Sequence, residues 1–158
     1  MSFYYDSFPW FVRAENEKQR LPMSDGTTVW SPKKIDLEFS LDIDKTKLEL
    51  VGFTQEALEY FVANYGENYE YLYFNMANKI KDFSPLENLM NLKSVSIDYC
   101  RAEKLWDMSK NKKLTNLWLN SAKKITENLA DINSCQSLEN IMISGNMDSP
   151  YTINSLSC

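Results

Sequence analysis

Residues Leu92 to Ile97 read LKSVSI, and the same apolar-x-x-apolar-x-apolar phrase stands at Tyr69 to Phe74 (YEYLYF), Leu114 to Leu119 (LTNLWL) and Leu138 to Ile143 (LENIMI). The four starts are 23, 22 and 24 residues apart, a period at which one strand and one return segment form a stackable unit. Side chains alternate between the two faces of a strand, so each phrase separates into an inward and an outward set. The inward ladder is Tyr69, Leu72, Phe74; Leu92, Val95, Ile97; Leu114, Leu117, Leu119; and Leu138, Ile141, Ile143. The outward set is Tyr71, Tyr73, Asn75; Ser94, Ser96, Asp98; Asn116, Trp118, Asn120; and Asn140, Met142, Ser144. The first set is packing material, and the second is where a functional reading belongs.

Stacked at about 4.8 Å per strand, the outward positions become columns. Tyr73, Ser96, Trp118 and Met142 form a middle column, and Asn75, Asp98, Asn120 and Ser144 a polar one beside it. Tyrosine, tryptophan and methionine are enriched at interfaces, because they bury much area at low entropic cost or adapt their shape. Tyr71, Tyr73, Asn75, Ser96, Asp98, Trp118, Asn120 and Met142 are therefore the expected partner-binding residues. Aromatic residues on a strand also follow from β-propensity alone.

The phrase resembles the leucine-rich repeat family over residues 69–158. The resemblance implies an α/β fold: a right-handed solenoid with one parallel sheet on its inner side, working as a binding surface for a protein partner. In the family the ninth position of the repeat is usually asparagine or cysteine. Here it holds Ala77, Cys100, Ala122 and Asn146, so the resemblance implies a buried, structural Cys100 and looser turns at the two alanines.

Residues 1–68 lack the repeat and read as an α+β N-terminal cap. Asp25-Gly26 between Arg20 to Met23 and Thr28 to Trp30 signals a tight hairpin. Ile35, Leu37, Phe39, Leu41 and Ile43 alternate with Asp36, Glu38, Ser40 and Asp42, predicting a strand. Thr54 caps an expected helix over 55–65, whose Leu58, Phe61, Val62 and Tyr65 share one stripe, and Gly66 is placed to close it at C′. The cap is expected to cover the first repeat with that stripe.

The return segments carry Ile80, Phe83, Leu86 and Leu89, then Leu105, Trp106 and Met108, then Ile125, Leu129 and Ile132. Ser84-Pro85-Leu86-Glu87 reads as a capping box opening a short helix over 85–90, and Thr126 as a further cap. Cys135 is expected buried at the end of a helical turn. After Ile143 only Ile153 and Leu156 remain as clear anchors, which leaves three readings open: a fragment of a longer array, a homodimer paired through the Leu138 to Ile143 edge, or a minimal cap folded back over 152–157.

Composition narrows the function. The chain has 158 residues, a formal net charge of −5 and no histidine. That charge counts against nucleic acid, and the missing imidazole removes the usual general base and the commonest zinc ligand. Cys100, Cys135 and Cys158 are odd in number and show no C-x-x-C spacing, so neither a disulfide framework nor a metal site is expected. The four glycines are isolated, without any cofactor motif. Neither a membrane-spanning run nor a leader is legible, and the expected setting is cytoplasmic. The clusters Lys110 to Lys113 and Lys123-Lys124 read as solvated loops, and the N-terminal aromatics from Phe3 to Phe11 as packing across the cap. The expectation is a non-catalytic interaction protein without cofactor, of bacterial style, suited to an immunity or regulatory role. The alternative is a carbohydrate-binding or carbohydrate-processing protein that stacks sugars on Tyr71, Tyr73 and Trp118.

Overall fold

The alternating phrases form strands. The computed structural model describes residues 30–39, 47–126, 129–145 and 149–153. Strands β1 (Lys47–Val51), β2 (Tyr71–Asn75), β3 (Ser94–Asp98), β4 (Asn116–Asn120) and β5 (Asn140–Gly145) lie side by side in sequence order and run parallel. A sixth, β6 (Ser149–Ile153), pairs antiparallel with β5. Helix α1 (Pro32–Phe39) precedes the sheet, α2 (Gln55–Asn64) joins β1 to β2, and α3 (Lys123–Thr126) follows β4. The class is α/β, with short 3-10 turns at Gly66–Asn68, Ser84–Asn88 and Ala130–Ser134 in the return segments.

Register follows the phrase residue for residue. Leu72 pairs with Val95, Val95 with Leu117 and Leu117 with Ile141, while Phe74, Ile97, Leu119 and Ile143 form the next rung. A one-residue slip would turn every apolar side chain to the other face, so the core enforces this alignment. Eleven of the twelve inward residues are buried, Leu138 is half-buried, and all join one core cluster with the return anchors Ile80, Phe83, Leu86, Leu89, Leu105, Trp106, Met108, Ile125 and Ile132. Cys135 ends the last 3-10 turn and is buried, as expected.

The segment from Ile35 is helical, which corrects the predicted strand. Ser31 and Pro32 make a helix start: the Ile35 N–H donates to the Ser31 carbonyl at 2.9 Å, the Lys34 N–H reaches Ser31 Oγ at 3.3 Å, and Pro32 takes the first helical position. On this helix Ile35 and Phe39 are one turn apart and buried, whereas Leu37 is 65% exposed on another side. Phe39 meets Phe61, Tyr65 and Tyr69 with ring centroids 5.2, 5.0 and 5.8 Å away. That aromatic contact surface rewards a 3.6-residue period over a two-residue one. Residues 40–43 of the expected strand, the hairpin at Asp25-Gly26 and the aromatics from Phe3 to Phe11 lie outside the described residues.

Helix α2 forms as predicted, with Thr54 Oγ1 accepting from the Ala57 N–H at 3.2 Å and Leu58 and Phe61 buried. Asp36 clamps α1 to it, accepting from Tyr60 Oη at 3.0 Å and from Tyr65 Oη. The hydrogen bond to Asp36, helped by burial and by the carboxylate's charge, pushes the Tyr65 pKa up to about 12. Gly66 does not close α2 in a left-handed conformation. It starts a 3-10 turn, buried, and a Cβ there would stand 2.8 Å from Leu89 Cδ2, so any larger residue would have to displace the Leu89 side chain. The capping box at Ser84 is also absent: Ser84 Oγ donates to Asp82 Oδ2 at 2.9 Å, and the turn carries no side-chain cap. The Thr126 hydroxyl donates to the Lys123 carbonyl at 2.8 Å.

Two sheet features escaped the sequence reading. β1 lies inside residues 1–68, with Leu48 and Leu50 in line with Leu72 and Phe74, so the parallel sheet begins one unit earlier than the repeat phrase. At the other end β6 pairs along the outer edge of β5, so that strand is not bare. Pro150 in β6 lacks a backbone N–H, and proline in a sheet belongs to an edge.

Every strand from β1 to β4 leaves the sheet through a residue of positive φ: Gly52 at 67°, Met76 at 55°, Tyr99 at 54° and Ser121 at 50°. The Gly52, Tyr99 and Ser121 N–H groups donate to the last carbonyls of the next strand, from Asn75, Asn120 and Ser144, at 2.9, 3.1 and 2.9 Å, and Ala77 does the same to Asp98 at 2.9 Å. The left-handed conformation costs a non-glycine residue about 1–2 kcal/mol, so the repeated turn is held against intrinsic preference by these bonds. Ion pairs Lys93–Glu70 and Lys110–Glu87, at 3.0 and 3.5 Å, link the second repeat to the first, and Lys124–Glu103, at 2.9 Å, links the third to the second.

Candidate functional site

The outward columns exist as the phrase predicts. Tyr73 pairs with Ser96, Ser96 with Trp118 and Trp118 with Met142, and the neighbouring column runs through Asp98, Asn120 and Ser144. β1 adds Glu49 beside Tyr73 and Val51 beside Asn75. Period-two alternation places all of these on the face opposite the core.

Their exposure departs from the expected open surface. Tyr73, Ser96, Asp98 and Trp118 are only 4, 4, 6 and 5% exposed, and Ser94 is fully buried. Ser96 sits between the rings of Tyr73 and Trp118 in the register, so two large neighbours one strand away shield a small side chain. Tyr71, Asn75, Asn120 and Met142 are half-buried, as are Asn116 and Ser144, and Asn140 is exposed. The eight expected residues thus divide into a buried floor and a reachable border. Alternation reports which side a residue faces; it carries no information on whether that side is open.

Hydrogen bonds organise the floor. Asp98 accepts from Tyr73 Oη at 3.2 Å and from Asn120 Nδ2 at 2.7 Å, and Ser144 Oγ donates to Asn120 Oδ1 at 2.6 Å. Asn75 Nδ2 reaches Glu49 Oε1 at 2.9 Å. At the strand starts Asn140 Nδ2 donates to Asn116 Oδ1 at 2.9 Å, and Asn116 Nδ2 to Ser94 Oγ at 3.1 Å. Burial raises the Asp98 pKa above the ordinary carboxylate value, while the bonds from Tyr73, the Tyr99 backbone N–H and Asn120 oppose it. No cation is among those partners, so Asp98 is a desolvated carboxylate held by neutral donors.

Such a site can orient and hold. Cys100 faces the core, where burial pushes its thiol up to about 11 against the Ala102 N–H bond to Sγ, which disfavours a reactive thiolate. Among the described residues no three histidine, cysteine, aspartate or glutamate side chains cluster as metal ligands. Sequence reasoning missed Glu49, because Lys45 stands where the phrase calls for an apolar residue and β1 went unread. A separate open groove of about 620 Å³ lies between α2 and the Ser84–Asn88 turn, lined by Glu59, Val62, Tyr65, Glu67 and Glu87 among others. It includes none of the expected site residues.

Among the described residues no helix is long and apolar enough to cross a membrane. A scan against protein-family models found no match to the chain, and searches of curated proteins and of solved structures found none either.

Proposed function

We propose that this chain is a non-catalytic protein-interaction module of leucine-rich-repeat type, a right-handed solenoid whose sheet face receives a partner protein. The observation that carries the reading is the outward column system: four repeats in matched register, with a hydrogen-bonded floor and a half-buried border of Tyr71, Asn75, Asn120 and Met142. A floor in which Tyr73, Asp98, Asn120 and Ser144 hydrogen-bond to one another is held in place, and a rigid surface binds without a large ordering cost. Residues 1–68 serve as the N-terminal cap, with α1 and α2 over the first aromatic layer. A reducing, cytoplasmic setting accords with Cys100 and Cys135, both buried free thiols, and an immunity or regulatory role accords with a module that works by occupying a partner.

Protein is favoured over carbohydrate by the burial of two of the three candidate rings. Sugar stacking needs an open aromatic face, and Tyr73 and Trp118 are 4% and 5% exposed. The test is affinity capture from an extract of the native host with the wild-type chain and with Met142→Glu combined with Asn140→Arg, on the reachable border. Partner recovery is expected to fall at least tenfold while the circular dichroism spectrum is unchanged; undiminished recovery removes the sheet face as the binding surface.

A further inference from the structure

The left-handed turns at the strand exits present side chains that the fold does not ask for. Gly52 shows the residue this geometry favours. Met76 and Tyr99 occupy the same turn in the next two units, yet they are 41% and 54% exposed and so recover little by burial. Large apolar side chains held both strained and exposed, on adjacent strands about 4.8 Å apart, mark a surface kept for contact.

Charge around them is opposite to that of the chain. The three exits 76–79, 99–104 and 121–124 contain five cations, Lys79, Arg101, Lys104, Lys123 and Lys124, against the single carboxylate Glu103, a local balance of +4 in a chain of −5. All five cations are exposed, and Lys124 alone among them pairs with Glu103, at 2.9 Å. We propose that this rim, Met76 and Tyr99 flanked by Lys79, Arg101, Lys104 and Lys123, binds an acidic segment of a partner protein that also carries apolar side chains. The proposal rests on the reading of the chain as an interaction module and names a second contact surface for it.

The rim's size selects the occupant. From Met76 to Ser121 it spans two strand spacings, roughly 10 Å, the length of about three extended residues. A nucleic acid running past that length meets a chain whose remaining charge is strongly negative, including Glu59, Glu67 and Glu87 around the groove beside α2. A short acidic segment fits both the patch and its borders.

The test is a fluorescence-anisotropy titration of the full chain with a labelled hexapeptide of alternating aspartate and leucine, beside a labelled six-nucleotide single strand. The peptide is expected to bind more tightly than the oligonucleotide. Its affinity is expected to fall tenfold or more in Arg101→Glu with Lys123→Glu, and again in Met76→Asn with Tyr99→Asn. Asparagine tolerates the left-handed turn, so the second pair keeps or raises the melting temperature and separates lost contact from lost fold. Wild-type peptide affinity in either pair, no peptide binding, or tighter oligonucleotide binding overturns the proposal. If the peptide fails while capture still depends on Met142, the rim is lost and the module reading stands; if both fail, both are lost.

Discussion

Asn111 shows how much a single buried amide holds in this chain. It is fully buried, accepts from Trp106 Nε1 at 2.9 Å, and donates to the carbonyls of Leu86 and Leu89 at 3.0 Å each. It therefore ties one return segment to the one before it through groups that have no access to water. Asn111→Ala leaves the indole N–H without a partner and the Leu86 and Leu89 carbonyls with only the backbone N–H groups of Leu89 and Leu92, and is expected to lower unfolding free energy by about 2 kcal/mol. Urea denaturation followed by tryptophan fluorescence checks this, and a loss below about 1 kcal/mol would mean that water enters and replaces the amide. Nothing in the sequence distinguishes Asn111 from other loop asparagines, since its partners come from the preceding unit. Cys100 is the opposite case: its repeat position implied burial, and the structure buries it.

At the scale of the element, the third outward column carries a pH signature. Asp98 in the fold has a pKa raised by burial, so the native state binds its proton more tightly than the unfolded chain does. Its contribution to stability is fully present below the unfolded carboxylate pKa and is lost as pH rises through the raised folded value. Melting temperature is therefore expected to decline across that interval in the wild type. In Asp98→Asn this part of the decline disappears; an unchanged profile would place the ionisation elsewhere. The elements also show where two sequence signals competed. Ile35 to Ile43 alternates as a strand does, but Ser31-Pro32 starts a helix and Phe39 finds Phe61, Tyr65 and Tyr69 one helical turn beyond Ile35. Local pattern is outweighed when tertiary contact rewards a different period.

Over the whole molecule, pairing is sequential: each strand bonds its sequence neighbours, from β1 to β6. Cooperation then passes from unit to unit, and the interior units have support on both sides. All five residues of β3 are buried, so amide hydrogen exchange is expected to be slowest in β3 and β4 and faster in β1 and β6. Uniform protection would instead show one cooperative block. The amino-acid sequence by itself determined the strands β2 to β5, their register and the two faces of each, because a period-two alternation repeated every 22 to 24 residues admits one alignment of apolar side chains. The tertiary structure decided what alternation leaves open. It made α1 a helix, added β1 and β6 at the two ends, buried Tyr73, Ser96, Asp98 and Trp118 on the face expected to be open, and left Met76 and Tyr99 exposed in strained turns. Those outcomes depend on which groups meet across units distant in sequence, and a side chain's facing direction does not contain its neighbours.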